Sequence, residues 1–216
     1  MDLNGRLLIA MPSMVDMRFE QSVIFICSHS DKGAMGLIVN KPADDLKFGD
    51  LLIQLGIEAP PSMRSIRIHV GGPVEFGRGF VLHSSDYNQS DTTMQVGDSF
   101  AMTATLDILE DIAMGDGPSE ALLAMGYAGW GPGQLEDEIV RNGWLIGDAS
   151  KALVFGGEDD SKWQNALEKM GSNPLLLSAG ELARQTVEQR RGAAARFSRS
   201  LIARPIPSIG TGATVK

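Results

Sequence analysis

The stretch Ser22–Pro42, SVIFICSHSDKGAMGLIVNKP, predicts a β-hairpin and thereby decides the fold class. Ser22–Ser28 is rich in Ile, Val and Phe, as strands are, and Gly36–Lys41 has the same apolar, β-branched character. Residues 30–33, between the two runs, have the composition of a turn. Because a turn this short joins only antiparallel strands, the sheet contains at least one antiparallel pair.

Strand and helix patterns are interspersed along the remaining chain, which is typical of an α/β protein. Strands are predicted at 7–10, 65–70, 79–83 and 100–105 and within 144–155. Helices are predicted at 48–55, 107–115, 118–125, 134–141 and 162–170. Pro118 suits the first turn of one of these helices, and GYAGWGPG (126–133) is interpreted as a tight loop covered by Trp130. We therefore predict an α/β fold with a mixed sheet.

The composition is typical of a globular protein, since 43% of the 216 residues are hydrophobic and 21% are charged. No apolar run approaches the roughly 18 residues that a membrane-spanning helix needs. The apolar run Leu7–Met11 is too short for a signal peptide and follows an acid, Asp2. A single cysteine cannot form an intrachain disulfide, which fits a reducing compartment. We expect a cytoplasmic protein without a membrane partner.

The net charge of −8 is unevenly distributed. Residues 184–216 carry seven basic side chains and one acidic side chain, whereas residues 1–183 carry twelve basic and 26 acidic ones. Large apolar residues are also few after residue 184, so we predict a domain at 1–183 and a basic, flexible C-terminal extension at 184–216. An acidic body repels polyphosphates, so a nucleic-acid partner is expected only through the extension, if at all.

Cys27 and His29 are the first candidates for chemistry, because a thiolate beside an imidazolium is reactive and Cys27 is the only cysteine. Strict alternation along a strand places both side chains on one face, and a four-residue turn places Cys27 opposite Gly36. The alternative is a buried thiol, since the strand is apolar on both faces before Cys27. A buried cysteine without a neighbouring cation is inert, and the residue types favour this alternative.

The glycine-rich and acidic segments do not form recognised cofactor or metal motifs. GPVEFGRG (72–79) has P-loop spacing, but Arg78 and Gly79 stand where Lys and Ser or Thr are required. The acidic runs 44–45 and 158–160 are interpreted as solvated loop ends and helix caps. The three histidines and one cysteine have no spacing typical of zinc, so neither a metal nor a cofactor is predicted.

Four stretches of the chain closely resemble the YqgE/AlgH family, also called UPF0301 or DUF179. They are LLIAMPSMVDMRFEQSVIFICSH (7–29), GAMGLIVNKP (33–42), HVGGPVEFGRGFVLHS (69–84) and GYAGWGPGQLEDEI (126–139). The resemblance extends over about residues 1–183 and implies a bacterial cytosolic protein with a single compact domain. It also implies a mixed sheet that is partly barrel-like and surrounded by helices. The resemblance implies no reaction, and the family's label of transcriptional regulator derives from a link to alginate production.

We therefore predict a non-enzymatic regulatory or binding protein that recognises an unidentified protein or small molecule. A pocket is expected beside the hairpin, with Gly36, Gly71, Gly72 and Arg78 as candidate binding residues. Two alternatives stay open. One is a redox sensor or thiol-dependent enzyme that uses the Cys27 and His29 pair, and the other is a nucleic-acid-associated protein that uses the basic extension.

Overall fold

The computed structural model describes residues 2–88 and 91–170, in which nine strands and five helices form. The strands are β1 (Arg6–Ala10), β2 (Val23–Ser30), β3 (Gly33–Ile38), β4 (Arg67–Val70), β5 (Val74–Ser84), β6 (Thr93–Val96), β7 (Phe100–Thr103), β8 (Ala121–Trp130) and β9 (Trp144–Asp148). The helices are α1 (Phe48–Gln54), α2 (Asp107–Met114), α3 (Gln134–Val140), α4 (Lys151–Phe155) and α5 (Asp159–Lys169). Over the same ranges, no helix has both the length and the apolar character that crossing a bilayer requires. Residues 171–183 of the predicted domain and the 184–216 extension lie outside the described residues.

The nine described strands belong to one sheet, in the order β6-β7-β5-β8-β3-β2-β1-β9, with β4 also paired to β8. β8 is central, because its first half lies between β4 and β5 and its last three residues pair with β3. Among the described strands, β4 and β8 are parallel and the other pairs, including the predicted β2–β3 hairpin, are antiparallel. The predicted α/β fold, with a mixed and curled sheet surrounded by helices, is confirmed.

The predicted helix at 118–125 is wrong, because residues 121–130 form β8. Leu122, Leu123 and Ala124 are all buried, since this half of β8 has a neighbouring strand on each side and covered faces. An uninterrupted apolar run occurs in buried strands and in buried helices alike, so its hydrophobic periodicity does not distinguish the two elements. The interpretation of 126–133 as a loop is wrong at 126–130, because these residues complete β8.

Among the described residues, two apolar cores hold α1, α2 and α3 against the sheet. In the first, α1 and α2 pack on β4, β5 and β8 through Phe48, Leu52, Ile68, Val81, Ile108, Ile112 and Leu123. In the second, α3 packs on the hairpin and on β8 and β9. There Glu138 Oε2 accepts hydrogen bonds from the indole N–H groups of Trp130 and Trp144, at 3.0 and 2.8 Å respectively. The second core fixes the hairpin against the C-terminal end of β8, where the candidate site lies.

Candidate functional site

A β-bulge at Cys27 makes the hairpin different from the one that the sequence predicts. Ile26 pairs with Gly36 and Ser28 pairs with Met35, so Cys27 is an extra residue without a partner on β3. The prediction that Cys27 lies opposite Gly36 is therefore wrong by one residue. The alternation of side chains before the bulge contains no signal for it.

His29 faces the other side of the sheet from the one that strict alternation predicts. It pairs with Ala34, which lies two residues from the partner of Ile26 and so faces the same side as Ile26. The His29 Nε2 atom lies 2.9 Å from Glu136 Oε1 in the first turn of α3, so the imidazole bonds to a helix. The bulge therefore removes the strand face that Cys27 and His29 were predicted to share.

Cys27 is buried in an environment that disfavours the thiolate. The residue is 3% exposed, and its Sγ atom lies 3.8 Å from the carbonyl oxygen of Phe25. Burial raises the pKa of the thiol far above its ordinary value, because the thiolate would lose its hydration. The thiol is therefore protonated at neutral pH, and reagents reach it only when the strand opens.

The three candidate glycines lie where backbones pack closely. A Cβ atom at Gly36 would collide with the Ile24 side chain and the Phe25 carbonyl oxygen of β2, and a Cβ atom at Gly71 or Gly72 would overlap the backbone of β8. The hairpin and the Gly71-Gly72 loop do meet, since the N–H of Ile38 donates to the carbonyl oxygen of Gly71 at 2.8 Å. The glycines thus let the hairpin, this loop and β8 approach one another.

A groove of about 670 Å³ opens where the hairpin meets β5 and β8, and we call it the hairpin groove. Its lining includes Ser28 and Lys32 of the hairpin, Arg78 and Phe80 of β5, and Tyr127 of β8. The volume falls within the range of roughly 300–1,000 Å³ that is usual for small-molecule sites. Of the four candidate binding residues, Arg78 lines the groove, and the three glycines hold together the strands that form it.

The charged and phenolic groups of the hairpin groove are hydrogen-bond donors. The Arg78 Nη1 atom lies 3.2 Å from Glu75 Oε2, and its guanidinium carbon lies 4.9 Å from the centre of the Phe80 ring. The Lys32 ammonium and the Tyr127 hydroxyl have no partner among the described residues. Within the same residues, no acidic side chain lines the groove. The local charge is therefore positive on a domain that is acidic overall.

The sequence analysis missed a buried charge cluster, which consists of Arg67, His69, Asp159 and Lys162. The Asp159 carboxylate lies 2.8 Å from Arg67 Nη1, 2.9 Å from Lys162 Nζ and 3.2 Å from His69 Nε2. Asp159 is only 9% exposed, so the interpretation of the acids at 158–160 as a solvated cap is wrong for this residue. The helical spacing of Asp159 and Lys162 is the one local signal, since 92 residues separate Arg67 from Asp159.

The buried charge cluster ties α5 to the sheet. Burial alone raises the pKa of Asp159, but the neighbouring His69 and Lys162 outweigh burial and hold the pKa well below its ordinary value. Burial lowers the pKa of the Lys162 ammonium, and Asp159 opposes that shift. Lys162 Nζ also donates to the carbonyl oxygens of Val39 and Val154 at 2.7 and 3.1 Å, so its three donors are satisfied inside the fold.

A larger cleft of about 960 Å³ borders this cluster, and we call it the α1 cleft. The segments 42–50, 63–68 and 157–161 line it, and they include Lys47 as well as the exposed acids Asp44, Asp50 and Asp160. The α1 cleft is therefore mainly acidic, in contrast to the hairpin groove.

Comparison with known sequences identifies close relatives over most of the chain. The family profile described as AlgH-like, DUF179, matches residues 7–175. A UPF0301 protein from Cereibacter sphaeroides is 59% identical over 179 residues, which cover 83% of this chain and 97% of the relative. A UPF0301 protein from Ruegeria pomeroyi is 59% identical over 180 residues, with coverage of 83% and 97%.

Two solved structures share the architecture. The solution structure of the AlgH protein from Pseudomonas aeruginosa gives a TM-score of 0.68 at 41% identity, and the match covers 82% of this chain and 93% of that one. The crystal structure of a Corynebacterium diphtheriae protein gives a TM-score of 0.67 at 22% identity, with coverage of 82% and 92%, and so supports the fold alone. By its sequence over most of its length and by its sheet and helices, this chain belongs to the AlgH-like family.

Proposed function

We propose that this chain is a non-enzymatic binding protein with a regulatory role, and that its ligand occupies the hairpin groove. The groove is the observation that carries the proposal, because it combines the volume of a ligand site with apolar side chains and free donors. The one thiol of the chain, Cys27, is buried and does not line the groove. A ligand bound there therefore contacts no nucleophilic cysteine.

The alternative of a redox sensor or thiol enzyme requires a thiolate that a substrate or an oxidant can reach. We expect iodoacetamide to alkylate native Cys27 at least about 100-fold more slowly than it alkylates the urea-unfolded chain, because the buried thiol is protonated. Rates measured from about pH 6 to about pH 9 should rise without a plateau in the native protein if its thiol pKa lies above this range, and they should level off within the range if the pKa is depressed. The His29→Ala variant should react as slowly as the wild type. A native thiol pKa below about 8.5 that rises in His29→Ala would instead support the thiol alternative.

The nucleic-acid alternative concerns the 184–216 extension, which lies outside the described residues. It is tested by truncation after Ala183 and a DNA-binding assay at several salt concentrations. Salt-dependent binding that persists after truncation would exclude the extension as the binding arm.

A matched pair of tryptophan variants tests whether the hairpin groove carries the function. Ser28→Trp places an indole in the groove, whereas Ser62→Trp makes the same change at an exposed serine outside it. The two tryptophan variants, Cys27→Ala and the wild type are each expressed in a bacterial strain from which its own AlgH-like gene has been deleted. Transcript levels are then compared with those of the deletion strain that expresses none of these proteins. We expect Ser28→Trp to reproduce the deletion profile, and Ser62→Trp and Cys27→Ala to restore the wild-type profile.

Circular dichroism must show that each variant is folded. A wild-type profile for folded Ser28→Trp would contradict the groove proposal, and a deletion profile for folded Cys27→Ala would contradict the non-enzymatic one.

A further inference from the structure

We propose that the ligand of the hairpin groove is an organic anion with an apolar body, whose acidic group is bound by Lys32 and Arg78. This inference rests on the proposed binding function and adds the chemical class of the ligand. Three observations support it: the positive charge of the groove edge, the apolar side chains that line the groove and the weak pairing of Arg78.

The charge of the groove edge requires a partner that accepts hydrogen bonds. Lys32 in the β2–β3 turn and Arg78 on β5 carry only donors, and among the described residues no acid lines the groove. The hydroxyls of Tyr127 and Ser28 can donate to the same ligand. A carboxylate or a phosphate supplies several acceptor oxygens, and its hydrogen bonds to cations are stronger than those between neutral groups.

The apolar side chains of the groove require that the anion be organic. Phe80, Met102 and Trp130 line the groove, and each is less than a tenth exposed. The Phe80 and Tyr127 rings pack edge to face with centroids 5.8 Å apart, which gives the groove a rigid aromatic side. Because these side chains are already largely buried, a hydrocarbon or aromatic body packed against them gains mainly by removing its own apolar surface from water, which an inorganic anion does not.

Glu75 competes with the ligand for Arg78. Their ion pair is 3.2 Å long, and the two side chains are 48% and 56% exposed, respectively. Exposed pairs of this kind contribute little free energy, so a ligand acid can replace Glu75 at small cost. Glu75 also lies in the segment 75–78 that loops out of β5 opposite Gly126, and its φ of 50° is in the left-handed region. Removing the Glu75 charge should therefore strengthen anion binding.

Two fluorescent probes with the same ring system separate charge from hydrophobicity. Anilinonaphthalene sulfonate carries a sulfonate, and phenylnaphthylamine is the same molecule without it. We expect the wild-type full chain to bind the sulfonate at least about tenfold more tightly than the neutral probe, with a preference that falls as ionic strength rises from about 0.05 M to about 0.5 M. Fluorescence titration measures both dissociation constants.

Four variants assign the preference to individual side chains. We expect Lys32→Ala and Arg78→Ala each to reduce the preference for the sulfonate several-fold, and Glu75→Gln to increase it. Lys47→Ala removes an exposed cation from the α1 cleft and should change nothing. If Lys47→Ala abolishes the preference and Lys32→Ala does not, the anion site lies outside the groove and the inference is overturned.

The Ser28→Trp variant separates failure of this inference from failure of the proposed function. Equal affinities for the two probes, both abolished in folded Ser28→Trp, would overturn the anion class but keep the groove as a binding site. Sulfonate binding that is unaffected by Ser28→Trp would overturn both.

Displacement of the bound sulfonate distinguishes the two natural sources of the acidic group. We expect dodecanoate or dodecyl phosphate, or both, to displace it, and the better competitor identifies a carboxylate or a phosphate ligand. Dodecanol, which has the same chain without charge, should not compete. If dodecanol displaces the sulfonate probe as effectively as the two anions do, the inference is contradicted.

Discussion

Asp159 illustrates how one residue can decide the environment of several others. Its carboxylate is the counter-ion of Lys162, which is only 2% exposed, and it also contacts Arg67 and His69 on β4. Neither ring nitrogen of His69 has an aligned hydrogen-bond partner among the described residues, although Nε2 lies 3.2 Å from the carboxylate. The negative charge of Asp159 therefore compensates positive charge that is largely removed from water.

Asp159→Asn should destabilise the fold by about 3–5 kcal/mol, because it leaves the buried Lys162 ammonium without a counter-ion. The free energy of unfolding is measured by urea titration at pH 7. Asp160→Asn is the matched control, since the neighbouring Asp160 is exposed, and it should change the free energy by less than about 0.5 kcal/mol. Equal effects of the two variants would mean that the cluster does not stabilise the fold.

At the scale of the elements, β8 organises both the sheet and the hairpin groove. Its parallel neighbour β4 continues into the Gly71-Gly72 loop, and Gly71 N–H donates to the carbonyl oxygen of Met125 at 2.8 Å. The same loop accepts a hydrogen bond from the end of β3. The loop therefore aligns β3 with β8, two of the strands that line the groove.

Gly71→Ala should destabilise the fold by about 1–3 kcal/mol, because the new methyl group would overlap the carbonyl oxygen of Gly126. Gly77→Ala is the control, since a Cβ atom there has open space around it, and it should leave the urea midpoint nearly unchanged. Affinity for the sulfonate probe should fall in Gly71→Ala together with stability. A Gly71→Ala protein as stable as the wild type would show that β8 moves away from the methyl group without a measurable loss of stability.

At the scale of the whole molecule, two carboxylates make the stability sensitive to acid. Burial raises the pKa of Asp86, but hydrogen bonds from Ser84 and Ser119 outweigh it and lower the pKa to about 2. The pKa of Asp159 is lowered as well. A carboxyl group whose pKa is lower in the folded state stabilises the fold above its unfolded pKa, and this contribution is lost as the pH falls through the folded pKa.

We therefore expect the free energy of unfolding to decrease most steeply as the pH falls from about 4 to about 2. Urea titrations at several pH values measure the slope. Asp86→Asn and Asp159→Asn should each reduce the slope, because the variant no longer takes up that proton on unfolding in acid, and Asp160→Asn should keep it. A wild-type slope in both variants would mean that other carboxyl groups cause the acid sensitivity.

The sequence by itself determined the family, the α/β class and the elements whose signals are local. The hairpin follows from two apolar runs around a turn, α1 from apolar residues at helical spacing, and α2 from the spacing of Asp107 and Glu110 at a helix start. Arg78 was also identified as a candidate from the sequence, and it lines the hairpin groove. These features depend on residues close together in the chain, so patterns of a few residues suffice to predict them.

Only the tertiary structure decided β8, the bulge at Cys27, the buried charge cluster and the composition of the hairpin groove. The apolar run of β8 becomes a strand because β4 and β5 lie on either side of it. The bulge is a property of the pairing between β2 and β3, so the sequence of either strand alone does not reveal it. Lys32 and Tyr127 meet Arg78, and Arg67 meets Asp159, only after distant segments have paired. Free energies that arise between such segments leave no local pattern, so the sequence predicted Arg78 as a residue of the site and the fold supplied its other charged and aromatic residues.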